Sequence, residues 1–153
     1  MGRSLGAALF MCTTAAGAAD AERLEVIAAD GVALAELALP DSGEWCLSWQ
    51  HSVTGGDVRD CFATRDGQLI LARSYLHDAA AGLGHVPGRG KQRSAVGGGY
   101  WIEGIDEPVP GNALRLRVGG PSVGHTVRTQ DAVIDLTAFA ADTRVTLRLL
   151  TPR

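Results

Sequence analysis

Three residues in the middle of the chain have the types and spacing to act as one unit. His51 can exchange a proton near neutral pH, Asp60 can orient it, and Arg73 offers a planar fork for two oxygens of an anion. They stand on segments that alternate in polarity. Trp45, Leu47, Trp49, His51 and Val53 share one face of the first segment; Cys46, Ser48, Gln50 and Ser52 take the other. The apolar face is the one expected to be buried. Gly55-Gly56 reads as a two-residue hairpin turn, since glycine readily supplies the positive φ such turns require. That turn pairs Thr54 with Asp57, Val53 with Val58 and His51 with Asp60. Asp66-Gly67 reads as a second tight turn, pairing Arg65 with Gln68, Phe62 with Leu71 and Asp60 with Arg73.

The expected outcome is a row of His51, Asp60 and Arg73 across three neighbouring strands. It lies on the face of Trp49, Val53, Phe62, Leu71 and Tyr75. Directly opposed side chains have Cβ atoms about 5 Å apart, close enough to bond. Buried charges without partners are so costly that the row is expected to satisfy itself. It then serves either as a network that holds strand register or as a pocket floor where Arg73 and His51 grip an anionic group. The same treatment of Val123, His125 and Val127 against Ile134 and Leu136 puts His125 on an apolar face too.

A second set of candidates lies in residues 77–98, a glycine-rich stretch without strand alternation. Structureless loops of that length are usually functional or disordered. Backbone N–H groups between Ala81 and Arg93 could converge on an anion, with His85, Arg89 and Lys91 as contacts. A solvated basic loop is the plainer reading. A nucleotide-binding P-loop is rejected, because Gly90-Lys91 lacks the following Ser or Thr and the glycine spacing is wrong. Histidines 51, 77, 85 and 125 show no metal-ligand spacing, so neither metal nor cofactor is expected. Ser52 points away from His51, and no Gly-x-Ser-x-Gly elbow occurs. No catalytic residue is nominated; the enzymatic alternative is a hydrolase in which Asp60 activates His51.

The elements that must position these residues are strands. Candidates are 23–29, 32–39, 44–53, 58–65, 68–75, 99–104, 114–118, 123–129, 132–137 and 144–149, with one helical turn in 137–143. Glycine-rich turns between them predict an all-β, single-domain antiparallel sandwich or partly open barrel of about 8–10 short strands. An even pair of cysteines in an oxidising compartment invites a disulfide. The expected register argues against it, leaving Cys46 and Cys61 four positions out of line, roughly 13 Å apart. A bulge would restore the bond.

The chain has 153 residues, and its start carries an export pattern: Arg3, an apolar run from Ser4 to Thr14, then Ala16-Gly17-Ala18. That run is shorter than the about 20 residues a membrane span needs. Residues 1–19 are expected to be a signal peptide cleaved after Ala18 or Ala19, leaving 20–153 as a periplasmic β domain without a membrane span. Lipidation at Cys12 is the rival, disfavoured by the bulky Met11 before it. Loss of Arg3 from 14 basic residues leaves 13 against 17 acidic, a balance of −4. Nucleic acid is therefore not an expected partner.

His51-Ser52-Val53 followed by Asp60, Ala81-Gly82-Leu83-Gly84, Gly98-Gly99-Tyr100 and Leu116-Arg117-Val118-Gly119 occur in this order. With them the chain resembles a bacterial family of small exported domains of unknown function, often encoded beside TAXI-type TRAP transporters. The resemblance spans residues 44–150. That family usually has an acidic residue at the place of Asp60, often glutamate. The resemblance implies a periplasmic accessory to solute uptake and no activity. The expected partners are the transporter's receptor or permease subunit, or a small organic anion. An envelope interaction module is the remaining alternative.

Overall fold

Alternating apolar and polar residues become eleven strands in the computed structural model, which describes residues 21–78 and 86–152. In chain order they are β1 (Arg23–Ala28), β2 (Ala33–Ala38), β3 (Trp45–Gln50), β4 (Asp57–Arg65), β5 (Gln68–Leu76) and β6 (Lys91–Ser94). They continue with β7 (Tyr100–Pro108), β8 (Ala113–Arg117), β9 (Thr126–Arg128), β10 (Val133–Asp135) and β11 (Arg144–Leu150). A single helical turn, α1 (Leu136–Ala140), lies between β10 and β11; the Asp135 side chain caps it by accepting the Ala138 N–H at 3.1 Å.

All pairings are antiparallel. They form a four-stranded sheet of order β2-β1-β11-β8 and a seven-stranded sheet of order β10-β9-β3-β4-β5-β7-β6. Both sheets keep free edges, so the fold is a sandwich and not a barrel. Leu24 and Val26 of β1 with Val145 and Leu147 of β11 face Trp45, Leu47, Phe62 and Leu69 across the sheets, all buried. Side chains of this kind contribute roughly 1.5–3 kcal/mol each when fully buried. A second, smaller cluster of Leu76, Tyr100 and Ile102 lies on β5 and β7.

Two registers decide what faces the core. The Asp66-Gly67 turn forms as expected, with both residues at positive φ (50° and 72°), and Arg65 pairs with Gln68. The turn at Gly55-Gly56 does not. Of those two glycines only Gly55 has positive φ, 69°, so the two-residue turn is replaced by a loop closed between His51 and Gly56. The His51 N–H donates to the Gly56 carbonyl and the Gly55 N–H to the His51 carbonyl, each at 2.8 Å. Pairing between β3 and β4 is thereby displaced four positions from the expected one: Leu47 opposes Asp60, and Gln50 opposes Asp57. Val53 is not buried but 85 % exposed.

The displacement brings Cys46 directly opposite Cys61, and the two form a disulfide with Cα atoms 4.0 Å apart. The register expected to hold these cysteines apart is not the one formed. One position away, Trp45 stacks on Phe62 with ring centroids 4.4 Å apart. The two links hold one alignment from both faces of the sheet.

A second correction concerns residues 77–98. Lys91–Ser94 within them form β6, paired with β7. All four residues are exposed, so no burial pattern marked the strand.

Replacing both cysteines, Cys46→Ser with Cys61→Ser, opens a loop of 15 residues. Loss of that cross-link is expected to lower the unfolding free energy by about 3 kcal/mol. Urea denaturation of the oxidised and double-serine chains measures it as a lower midpoint.

Candidate functional site

β5 carries an irregularity that redirects the central arginine. The pairing of β4 with β5 runs as expected from Arg65–Gln68 to Phe62–Leu71, then shifts by one residue. Beyond the shift Cys61 opposes Arg73, and Asp60 opposes Ser74. Such a step moves every later side chain to the other face. Arg73 therefore lies with the disulfide, on the face turned away from the four-stranded sheet. Its guanidinium pairs with the Glu44 carboxylate and stands 4.9 Å from the centroid of the Trp101 ring.

The same face gathers an arginine–aromatic group. Arg59 and Tyr75 are direct neighbours across β4 and β5, and Tyr75 neighbours Trp101 across β5 and β7. The two rings meet at 5.4 Å and 55°, and the Arg59 guanidinium carbon is 6.0 Å from the Trp101 centroid. Exposed contacts of this cation–ring kind are worth about 0.5–1 kcal/mol. The Tyr75 hydroxyl donates to the Gly98 carbonyl at 3.0 Å. The chain approaches that closely only because residue 99 is glycine: at φ 72°, a Cβ there would lie 2.6 Å from both the Tyr75 hydroxyl and the Leu76 carbonyl.

Together these residues wall an open groove of about 490 Å³, lined by Asp57, Arg59, Tyr75, Ser94, Ala95, Val96 and Trp101. Val96 forms a fully exposed apolar lip. Arg59 has no ion pair among the described residues, whereas Arg93, opposite Trp101 on β6, is taken by Glu103 at 2.7 Å. The groove thus offers a flat aromatic wall, an uncommitted planar cation and, at Asp57, one anion.

Asp60 keeps the inward orientation expected of it, with different neighbours. Ser74 Oγ donates to its Oδ1 at 2.6 Å. Burial pushes the Asp60 carboxyl above its ordinary pKa, opposed more weakly by the Ser74 bond and by the charge of Arg89. Arg89 itself is bound to Glu107 at 2.8 Å. Lys91 lies exposed on β6, opposite Glu103. His85 falls outside the described residues.

His51 is not in the expected row. Its Nδ1 accepts the backbone N–H groups of Val53 and Thr54, each at 3.3 Å, so the imidazole caps its own loop. It lies four residues along the chain from Leu47, the residue opposite Asp60, a separation of roughly 13 Å in extended chain. The row His51–Asp60–Arg73 is therefore not formed: one member closes a loop, one faces inward, and one faces outward. Asp60 is not set beside His51 to activate it.

His125 is buried, as its place on an apolar face predicted. It stacks on Trp49 with centroids 5.7 Å apart at 20°, and its Nδ1 accepts the Gly119 N–H at 2.9 Å. Burial holds its pKa below the ordinary 6.5. It acts as a joint between β9 and the turn after β8. Glu44, Cys46 and Cys61 bring potential ligand atoms within 4.8 Å of one another, but both sulfurs are spent in the disulfide.

The sequence reading missed Arg59 and Trp101 and turned Tyr75 inward. Trp101 had a usable signal: it alternates with Tyr100 and Ile102, whose side chains are buried, so it had to face the other way. Nothing in the sequence announced the irregularity between Leu71 and Arg73.

Residues 46–136 match the family model Domain of unknown function (DUF1850), and the chain belongs to that family. No curated protein and no solved structure matches it. The matched span begins at the first disulfide cysteine and contains every residue that lines the groove.

Two pH effects follow from the buried groups. With its pKa raised above 3.8, Asp60 keeps its proton in the folded chain at pH values where the unfolded chain has lost it. Its contribution to stability is full below that window and is lost as pH rises through the raised value. Asp60→Asn, which retains an oxygen for Ser74, is expected to be at least as stable as the parent at pH 7, with the advantage vanishing in acid. Chemical denaturation across pH measures this.

His125 works in the opposite sense. Its lowered pKa makes the folded chain lose stability as pH falls below 6.5, and His125→Gln is expected to flatten that part of the same stability profile.

Proposed function

We propose that this member of the DUF1850 family is a non-enzymatic binding protein of the periplasm, an accessory to a TAXI-type TRAP uptake system. In this reading the groove beside Trp101 takes a small organic anion. The single observation that carries the ligand class is the pairing of the uncommitted Arg59 guanidinium with the Trp101–Tyr75 wall in an open groove of about 490 Å³. A carboxylate fits the guanidinium fork, and a flat or apolar body fits the ring. Asp57 in the same lining repels a second negative charge, so a monoanion suits the groove better than a dianion.

The location is supported by the export pattern of residues 1–19 and by the two cysteines joined as a disulfide. The transporter association is supported by the resemblance carried by His51-Ser52-Val53, Gly98-Gly99-Tyr100 and Leu116-Arg117-Val118-Gly119.

Titration calorimetry with benzoate and phenylacetate tests the ligand class. Arg59→Met and Trp101→Ala are each expected to weaken binding about tenfold, the size of one charge-assisted bond or one aromatic contact. Unchanged affinity in both variants discards the groove. Affinity capture from native envelope, with a TRAP receptor or permease subunit as the expected partner, tests the cellular role separately.

A further inference from the structure

On the opposite side of the sandwich, three arginines without an ion pair among the described residues, Arg115 and Arg117 of β8 and Arg144 of β11, lie together on the outer face of the four-stranded sheet. Val145 and Leu147 of β11 are buried, so Arg144 and Thr146 between and beside them face outward. Arg117 pairs directly with Arg144, and Arg115 with Thr146. Like charges directly opposed across two strands destabilise a sheet. This chain nevertheless places them so, although its formal charge is −3 and acids are abundant.

The neighbouring acids do not relieve the repulsion. Glu25, on β1 of the same sheet, is committed to Arg148 at 2.7 Å, and Glu36 to Arg23 at 3.3 Å. Asp142, two residues before Arg144, makes no ion pair with any of the three among the described residues. Arg115, Arg117 and Arg144 are all exposed and line one open depression of about 430 Å³ with Ala29, Leu116, Val145 and Thr146.

We infer that this depression, walled by Arg115, Arg117, Arg144 and Thr146, is a binding site for a phosphate group. A single carboxylate has two oxygens and is satisfied by one guanidinium. A phosphate monoester spreads a charge of about −1.5 to −2 over three oxygens and uses several forks together. Three cations drawn from two rigid strands, with the Thr146 hydroxyl beside them, match that larger demand. Bound phosphate would also remove the Arg117–Arg144 repulsion that the free sheet carries. The site is separate from the Trp101 groove and does not rest on the function proposed for it. The phosphate has two possible sources, a soluble phosphate monoester or a phospholipid headgroup at a membrane surface.

The test uses the full chain, its Arg117→Ser/Arg144→Ser double variant and, should that variant fail to fold, Arg115→Ser. Calorimetric titration with inorganic phosphate and with glycerol 3-phosphate reads the soluble source. Flotation with phosphatidylcholine vesicles, with and without phosphatidic acid, whose headgroup is a phosphate monoester, reads the lipid source.

The parent is expected to bind one of the two sources saturably, and the variant about tenfold or more weakly, the worth of one charged bond. Without ligand, the double variant is expected to melt no lower than the parent, since it loses a repulsion and no ion pair among the described residues. Binding of phosphatidic acid vesicles alone assigns the lipid source, and binding of glycerol 3-phosphate alone the soluble one. Equal binding by parent and variant, binding by neither source, or citrate bound as tightly as phosphate overturns the inference.

Discussion

The cross-link between Cys46 and Cys61 sets where each side chain of β3 and β4 points. It joins directly opposed residues, so no slip between these strands is compatible with it. Because side chains alternate between faces, a slip of one residue would exchange core for solvent along the whole pair. The Trp45–Phe62 stack holds the same alignment from the core side. From it follow the inward place of Asp60 next to Leu47, the outward place of Arg59, and the loop that His51 closes.

Much of the architecture was legible, because burial writes a period of two into each strand. β8 and β11 show it plainly, with Leu114, Leu116, Val145, Leu147 and Leu149 alternating with polar residues. Strand positions, the all-β class and the short helical turn before β11 could therefore be read from single segments. β6 could not, since all its residues are solvated and only backbone pairing with β7 makes it a strand.

Register is a property of two segments together, and there the reading divided. Asp66-Gly67 and Gly55-Gly56 look equally good as turns, yet only the first places both residues at positive φ. The second gives way to a loop stabilised by the His51 imidazole, whose capping role no composition rule reveals. The candidate site suffered twice, once from that turn and once from the one-residue shift in β5. Asp60 and His125 were correctly expected to face inward. Arg73 was expected opposite Asp60, but the shift places it opposite Cys61 and turns it over, away from the core and onto Trp101.

The seven-stranded sheet also has to end somewhere, and its rims are poor templates for further growth. β10 offers three residues, and β6 offers four with Lys91 and Arg93 among them. A strand from another molecule would meet too few open backbone groups at either rim to zip on stably, and at β6 it would also meet the exposed Lys91. A wide, partly aromatic sheet can thus stay exposed at high local concentration without seeding fibrils.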